Sequence, residues 1–231
     1  MTSRLGFATS TPDDGATAGA AWPTDAAALD LPAPRDPAAP YGVVMVCTGN
    51  ICRSAMAEVV LIDRLIAADI PTGGPGGVVV TSAGVSDEES GNPMDPRARR
   101  ILAEGGYGVG ADPAARATAV AITEHAAHRI ADAELRRADL ILAMTSAHLR
   151  ALTRRGERLG VDPGRIRMFR EYDPTAAADT LGASGRAETL DVPDPWYGTM
   201  ADFVDTLDVV ERVSDALAPA LAELVGAPGA R

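Results

Sequence analysis

Early in the chain an apolar run, Tyr41-Gly42-Val43-Val44-Met45-Val46, stops on a cysteine and gives way within a few residues to a helical pattern. A short run this rich in valine reads as a strand buried on both faces. Beyond it, Ala55-Met56-Ala57-Glu58-Val59-Val60-Leu61-Ile62-Asp63-Arg64-Leu65-Ile66 reads as a helix. Ser54 is placed to cap that helix, and Glu58 is favourable near its positive end. The intervening residues, Cys47-Thr48-Gly49-Asn50-Ile51-Cys52-Arg53, must join strand to helix in a tight loop.

The same alternation continues. A Pro/Gly-rich connection at 71–77 leads to a second buried strand, Val78-Val79-Val80-Thr81-Ser82. Asp95 and Pro96 open a helix that runs to about Glu104 and stops at Gly105-Gly106. A further helix is expected near 123–133 and a third strand over 139–144. Thr145 or Ser146 would then cap a helix carrying Leu149 and Leu152. A shorter fourth strand is expected over 165–169, and a last helix over about 203–225, where Leu207, Val210, Leu217, Leu221 and Leu224 recur at helical spacing. Between Asp173 and Pro195 lies a stretch of low complexity, long for a compact domain and so either functional or mobile. Strands alternating with helices predict an α/β three-layer sandwich around a central four-stranded parallel sheet. The folded domain is expected over 41–226. Residues 1–40, with only scattered large apolar groups such as Leu5, Phe7 and Trp22, read as a flexible low-complexity extension.

With 231 residues, one domain is the default. The net charge of −11 excludes sequence-independent binding to nucleic acid or to an anionic membrane, both of which need excess basic charge. Any anion site must therefore be built locally. The only two cysteines lie five positions apart, which rules out a disulfide framework and fits a reducing cytoplasm. No apolar run reaches transmembrane length, and no signal peptide is apparent at the N-terminus.

A cysteine at the end of a strand, five intervening residues and an arginine at the start of a helix let a loop curl until successive backbone N–H groups face one anion. Gly49 permits the close backbone approach that such curling demands. Inward-pointing N–H groups favour the Cys47 thiolate, the form that attacks. The planar fork of Arg53 can grip two phosphate oxygens as charge shifts during transfer. Ser54 can donate to the Cys47 sulfur and ease its departure. A bare Cys-x5-Arg spacing would favour a structural cysteine beside a surface arginine. The strand before it, Gly49 and Asn50 within it and the helix after it favour a nucleophile loop for phosphate esters.

Val46-Cys47-Thr48-Gly49-Asn50-Ile51-Cys52-Arg53-Ser54, followed by Met56-Ala57-Glu58, resembles the low molecular weight protein tyrosine phosphatases. Four further segments resemble the family in family order: Thr81-Ser82-Ala83-Gly84, Gly91-Asn92-Pro93-Met94-Asp95-Pro96-Arg97-Ala98, Asp139-Leu140-Ile141-Leu142-Ala143-Met144 and Val192-Pro193-Asp194-Pro195-Trp196-Tyr197-Gly198. The resemblance covers roughly 41–224. It implies hydrolysis of phosphotyrosine on proteins through a phosphocysteine, with Cys47 as nucleophile, Arg53 as phosphate clamp and Asp194 as general acid and base. It implies a phosphate loop of Thr48, Gly49, Asn50, Ile51, Cys52 and Ser54, supported by Ser82 and His125. Trp196 and Tyr197 would line the cleft, with Glu88 on the opposite wall. Ile51 resembles the tyrosine-specific members, whereas related protein-arginine phosphatases carry threonine there. Cys52 resembles the second cysteine that can form a protective disulfide with the nucleophile. Phosphotyrosine-containing proteins are the partners implied, and no metal or other cofactor is expected.

From the residues alone, Asp194 reads equally as the start of a turn before the last helix. Trp196 and Tyr197 could be core anchors, His125 a partly exposed helix residue, and Cys52 an inert buried thiol. The chain departs from the family at Ala55, where a proline is common, and at Thr145, where an aspartate is usual. Glu88, beside Asp87 and Glu89, stands where many members have an aromatic residue, which predicts an acidic rim. Thiol-dependent arsenate reductases share this loop but need further cysteines downstream, and none follows Cys52. A non-catalytic phosphotyrosine-binding module has no need of a thiolate and an acid. The oligomeric state is not legible in the sequence.

Overall fold

The computed structural model describes residues 27, 29–176 and 190–226. Four parallel strands form one sheet in the order β2-β1-β3-β4: β1 (Tyr41–Cys47), β2 (Val78–Gly84), β3 (Leu140–Ala143) and β4 (Ile166–Met168). In register, Tyr41 faces Val78, Cys47 faces Gly84, Val43 faces Leu140 and Ile141 faces Ile166. Alternate residues of β1 and β3 enter two separate cores. Val43, Met45 and Leu142 pack with α1 (Arg53–Ala67) and the last helix, α6 (Met200–Leu224). Val44, Val46 and Ile141 pack on the other face with Leu135 of α4 (Asp132–Arg137) and Leu152 of α5 (Ser146–Leu159). Burial on both faces is why these strands are continuously apolar rather than alternating. The expected three-layer sandwich with a four-stranded parallel sheet is the observed architecture.

Helix starts follow their local chemistry with one exception. Asp95 caps α2 (Pro96–Glu104) by accepting from Arg97 N, and Thr145 caps α5 by accepting from His148 N. Ser54, expected to cap α1, lies inside its first turn instead, because its hydroxyl is engaged by Cys47 and Asn50. The helix expected over 123–133 is displaced. Helix α3 spans Pro113–Thr123 and α4 begins only at Asp132. Asp112 caps α3 by accepting from Ala115 N with Pro113 behind it, the same Asp-Pro signal that starts α2. Residues 127–130 are drawn out of helix because they pair with backbone: Gly84 N donates to His128 O and Ile130 N to Gly84 O, both within 2.9 Å, while Gly91 N donates to Ala127 O.

Part of the N-terminal extension is packed. Leu29 is buried, Tyr41 Oη donates to Pro32 O at 2.9 Å, and Arg35 N donates to Asp139 Oδ1 at 2.7 Å. Residues 1–26 and 177–189, which hold most of the expected flexible extension and of the low-complexity stretch, lie outside the described residues. Among the described residues, no helix is long and apolar enough to cross a membrane.

Candidate active site

β1 delivers Cys47 to the C-terminal end of the sheet, and the chain curls there into α1. Asn50 makes the curl possible by standing at a φ of 62°, a left-handed conformation that asparagine tolerates better than most side chains. Its backbone N–H points back at Cys47 Sγ, 3.3 Å away. Ser54 Oγ lies 3.0 Å from the same sulfur. Because Asn50 Nδ2 donates to Ser54 Oγ at 3.1 Å, the serine hydrogen is left to point at the sulfur. Two donors thus converge on Cys47, which is 2 % exposed.

The side chain of Asn50 is held at every polar atom. Nδ2 also donates to Ser82 Oγ at 2.8 Å, and Oδ1 accepts from His128 N at 3.2 Å. Ser82 passes its own hydrogen to Glu58 Oε2 at 2.5 Å. His125 Nε2 lies 2.6 Å from Asn50 O, and a carbonyl can only accept, so this nitrogen carries the proton. Burial pushes His125 down from its ordinary value, which suits the neutral ring. Burial pushes Glu58 up, partly opposed by Ser82 and His128.

Arg53 is 4 % exposed and opens α1 beneath the loop. Its Nη2 donates to Asp194 Oδ2 at 2.5 Å and to Thr48 Oγ1 at 3.3 Å, and Nη1 donates to Val192 O at 3.3 Å. Its Nε is buried with no partner among the described residues. Such an unpaired buried N–H is what an anion would satisfy. His148 stands behind this group, buried, with Nε2 2.9 Å from Thr48 Oγ1. Burial and then the Arg53 charge push it down to about 4, so it is a neutral ring at ordinary pH.

A cleft of about 120 Å³ opens over Cys47 and Arg53, lined also by Asp194, Trp196, Tyr197, Glu88 and Glu89. Tyr197 is 91 % exposed and Trp196 39 %, so neither is a core anchor. Arg97 holds their segment: Nη1 donates to Trp196 O at 3.1 Å, and the guanidinium lies 5.6 Å from the Trp196 ring centroid and 4.6 Å from that of Phe203. Glu89 lies directly on the loop, since a Cβ on Gly49 would come within 2.8 Å of its Cγ. Cys52 is a free, buried thiol, pushed up by burial and then by Asp95, which keeps it protonated.

Cys47, Arg53, Asp194, Ser54, Asn50, Ser82 and His125 are therefore brought into one constellation, and Glu88, Trp196 and Tyr197 into the walls around it. Arg97, His128 and His148 belong to the same neighbourhood without having been given roles in the sequence, where Glu58 was expected only near the positive end of α1 and Glu89 only in the acidic rim. Glu58 carried a signal, sitting one helical turn after Ser54. His148 carried none, because its partner Thr48 is 100 positions away.

The family model described as low molecular weight phosphotyrosine protein phosphatase matches residues 42–226. The low molecular weight protein-tyrosine-phosphatase of Streptomyces coelicolor is 37 % identical over 80 % of this chain and 96 % of its own length. Low molecular weight protein-tyrosine phosphatase A of Mycobacterium tuberculosis is 36 % identical over 77 % of this chain and 90 % of its own. A solved structure of the YwlE arginine phosphatase with a phosphorylated active site serine superposes with a TM-score of 0.55 at 25 % identity, covering 77 % of this chain and 93 % of that one; YwlE is a Bacillus subtilis protein. By the span of the family match and the closeness of these relatives, the chain belongs to the low molecular weight phosphotyrosine protein phosphatase family.

Proposed function

We propose that the protein hydrolyses phosphotyrosine on other proteins by way of a phosphocysteine. The observation that carries this reading is the meeting of Cys47 with its two donors, a buried Arg53 and Asp194 at one narrow cleft. The Cys47 thiolate attacks phosphorus, forming the S–P bond as the P–O bond to tyrosine breaks. Protonated Asp194 gives its proton to the departing phenol oxygen. Arg53 and the loop N–H groups hold the three non-bridging oxygens, and the Arg53–Asp194 contact is exchanged for contacts with substrate. In the second step Asp194 takes a proton from water, water oxygen bonds phosphorus, and the S–P bond breaks with its electrons returning to sulfur. Ser54 donates to that sulfur and stabilises it as a leaving group. Both cysteines are free thiols, in keeping with a reducing cytoplasm as the place of action.

Trp196 and Tyr197 present flat faces at the mouth, which suits a phenyl ring. The likeness to an arginine phosphatase makes phosphoarginine the second substrate to test. The experiment is hydrolysis of a phosphotyrosine peptide and a phosphoarginine peptide by wild type, Cys47→Ser and Asp194→Ala. Wild type should turn over the phosphotyrosine peptide, Cys47→Ser should be inactive, and Asp194→Ala should lose about 10²–10⁴ in kcat. Turnover of neither peptide by wild type would refute the enzyme reading. Undiminished activity of Cys47→Ser would remove the nucleophile.

A further inference from the structure

A second cleft, of about 170 Å³, lies behind the catalytic loop. Its floor is apolar, made by Val85, Ile130 and Leu152, and its rim consists of Arg129, Arg154, Arg155 and Arg158. No carboxylate lines it. Arg155 is neutralised by Asp132 at 2.5 Å, and Arg158 Nη1 donates to the Arg154 carbonyl at 3.0 Å. Arg129 and Arg154 are exposed and have no ion pair among the described residues. Of the nearby acids, Glu134 binds His128 and Ala131 N, and Glu157 is exposed and lines no part of the cleft. Seven arginines against four acidic residues fall between Arg129 and Arg158, in a chain whose net charge is −11. With Arg155 paired to Asp132, the other three guanidinium groups around the cleft repel one another unless an anion lies among them.

The wall between the two clefts is a single piece of backbone. Val85, which floors the basic cleft, donates its N–H to Cys47 O at 2.9 Å, and Ser86 N donates to Thr48 O at 3.0 Å. Arg129 is bridged to Gly84, the residue before Val85. The rims have opposite charge, since Asp87, Glu88 and Glu89 follow on the same loop toward the catalytic cleft.

We infer that the Arg129–Arg154–Arg155–Arg158 cleft docks an acidic segment of the phosphoprotein whose phosphotyrosine occupies the catalytic cleft, an assignment that rests on the proposed function. Guanidinium forks match carboxylate geometry, and the apolar floor accepts an aliphatic or aromatic side chain between the acids. The acidic rim rejects acids close to the phosphotyrosine, so the preferred substrate is bipolar: neutral or basic beside the phosphate and acidic several residues away. Because the chain as a whole repels acidic partners, this attraction is local and falls off within a Debye length.

The test compares phosphotyrosine peptides carrying a glutamate run several residues before or after the phosphate with glutamine counterparts, using the full chain. Relative to wild type, Arg129→Gln/Arg154→Gln should lower kcat/KM by about tenfold on one glutamate peptide through KM, leaving glutamine peptides and p-nitrophenyl phosphate within about twofold. The equally charged control, Arg136→Gln/Arg137→Gln on α4, should leave all substrates within about twofold. Equal loss in the control, or equal wild-type kcat/KM on glutamate and glutamine peptides, would overturn the docking site. Fluorescence anisotropy of the same glutamate peptide without phosphate reads docking apart from turnover. Saturable binding by wild type that is lost in Arg129→Gln/Arg154→Gln supports the site even if no substrate is hydrolysed, a failure that would count against the proposed function alone. Absence of wild-type binding, or equally tight binding of a single-stranded oligonucleotide, overturns it.

Discussion

Thr48 Oγ1 accepts from Arg53 Nη2 and touches His148 Nε2, while His148 Nδ1 is buried without a partner among the described residues. A buried lone pair costs less than a buried orphan N–H, which places the His148 proton on Nε2 and leaves the Thr48 hydrogen free to face the anion site. His148→Ala should therefore lower kcat/KM by about tenfold through a looser Thr48 and Arg53, with His148→Asn recovering part of the loss. The ring also predicts a pH effect. Its folded value of about 4 lies below the ordinary 6.5, so as pH falls through 6.5 the unfolded chain takes up a proton that the folded chain refuses. The contribution is fully present above 6.5 and declines toward 4, by roughly 3 kcal/mol. Denaturant unfolding of wild type and His148→Asn across that window should show the stability of wild type relative to the variant falling as pH falls. Asn50→Ala removes three side-chain partners and places alanine in the left-handed region, so stability should fall by about 2–4 kcal/mol and kcat by tenfold or more. Unchanged kcat would show that the loop keeps its shape without this network.

At the level of elements, the loop is positioned by the end of β2 as much as by α1. A Cβ on Gly84 would come within 2.5 Å of Thr48 O and 3.2 Å of Gly49 C, both backbone atoms that cannot step aside alone. Gly84→Ala should shift the whole phosphate loop, costing about 1–3 kcal/mol in denaturant unfolding and lowering kcat more than it raises KM. Normal kinetics in a destabilised variant would mean that β2 supports the fold but not the loop. The start of α1 tells a similar story. Its first turn has no side-chain cap, because Ser54 is committed to Cys47, and the helix is held instead by the burial of Ala55, Met56, Val59 and Val60.

Across the whole molecule, residues 29–40 tie the N-terminal ends of β1 and β3 together. Buried Asp139 accepts from Arg35 N at 2.7 Å and from Gly42 N at 2.8 Å. A chain beginning at Tyr41 should be less stable than one beginning at Ala27 by about 1–3 kcal/mol, since Asp139 and Tyr41 lose hydrogen-bond partners and the Leu29 contact disappears. Thermal unfolding of the two truncated forms measures this. With the catalytic cleft at the opposite end of the strands, their kcat values should agree within about twofold.

What the sequence by itself determined is local. Valine-rich strands buried on both faces, Asp-Pro helix starts and the Cys47-to-Ser54 loop all act between near neighbours, so the α/β sandwich and the strand-loop-helix join at Cys47 could be read directly. The misplaced helix near residue 123 shows the limit, because residues 127–130 obey the backbone of Gly84, Gly91 and Asn92 rather than their own helical preference. Asp194, legible through resemblance, meets Arg53 across 141 positions, and His148 meets Thr48 across 100. No periodicity encodes such a meeting. Only the parallel crossovers of the sheet, which bring every strand's C-terminal end to one side, decide which distant side chains share the cleft and which arginines gather behind it.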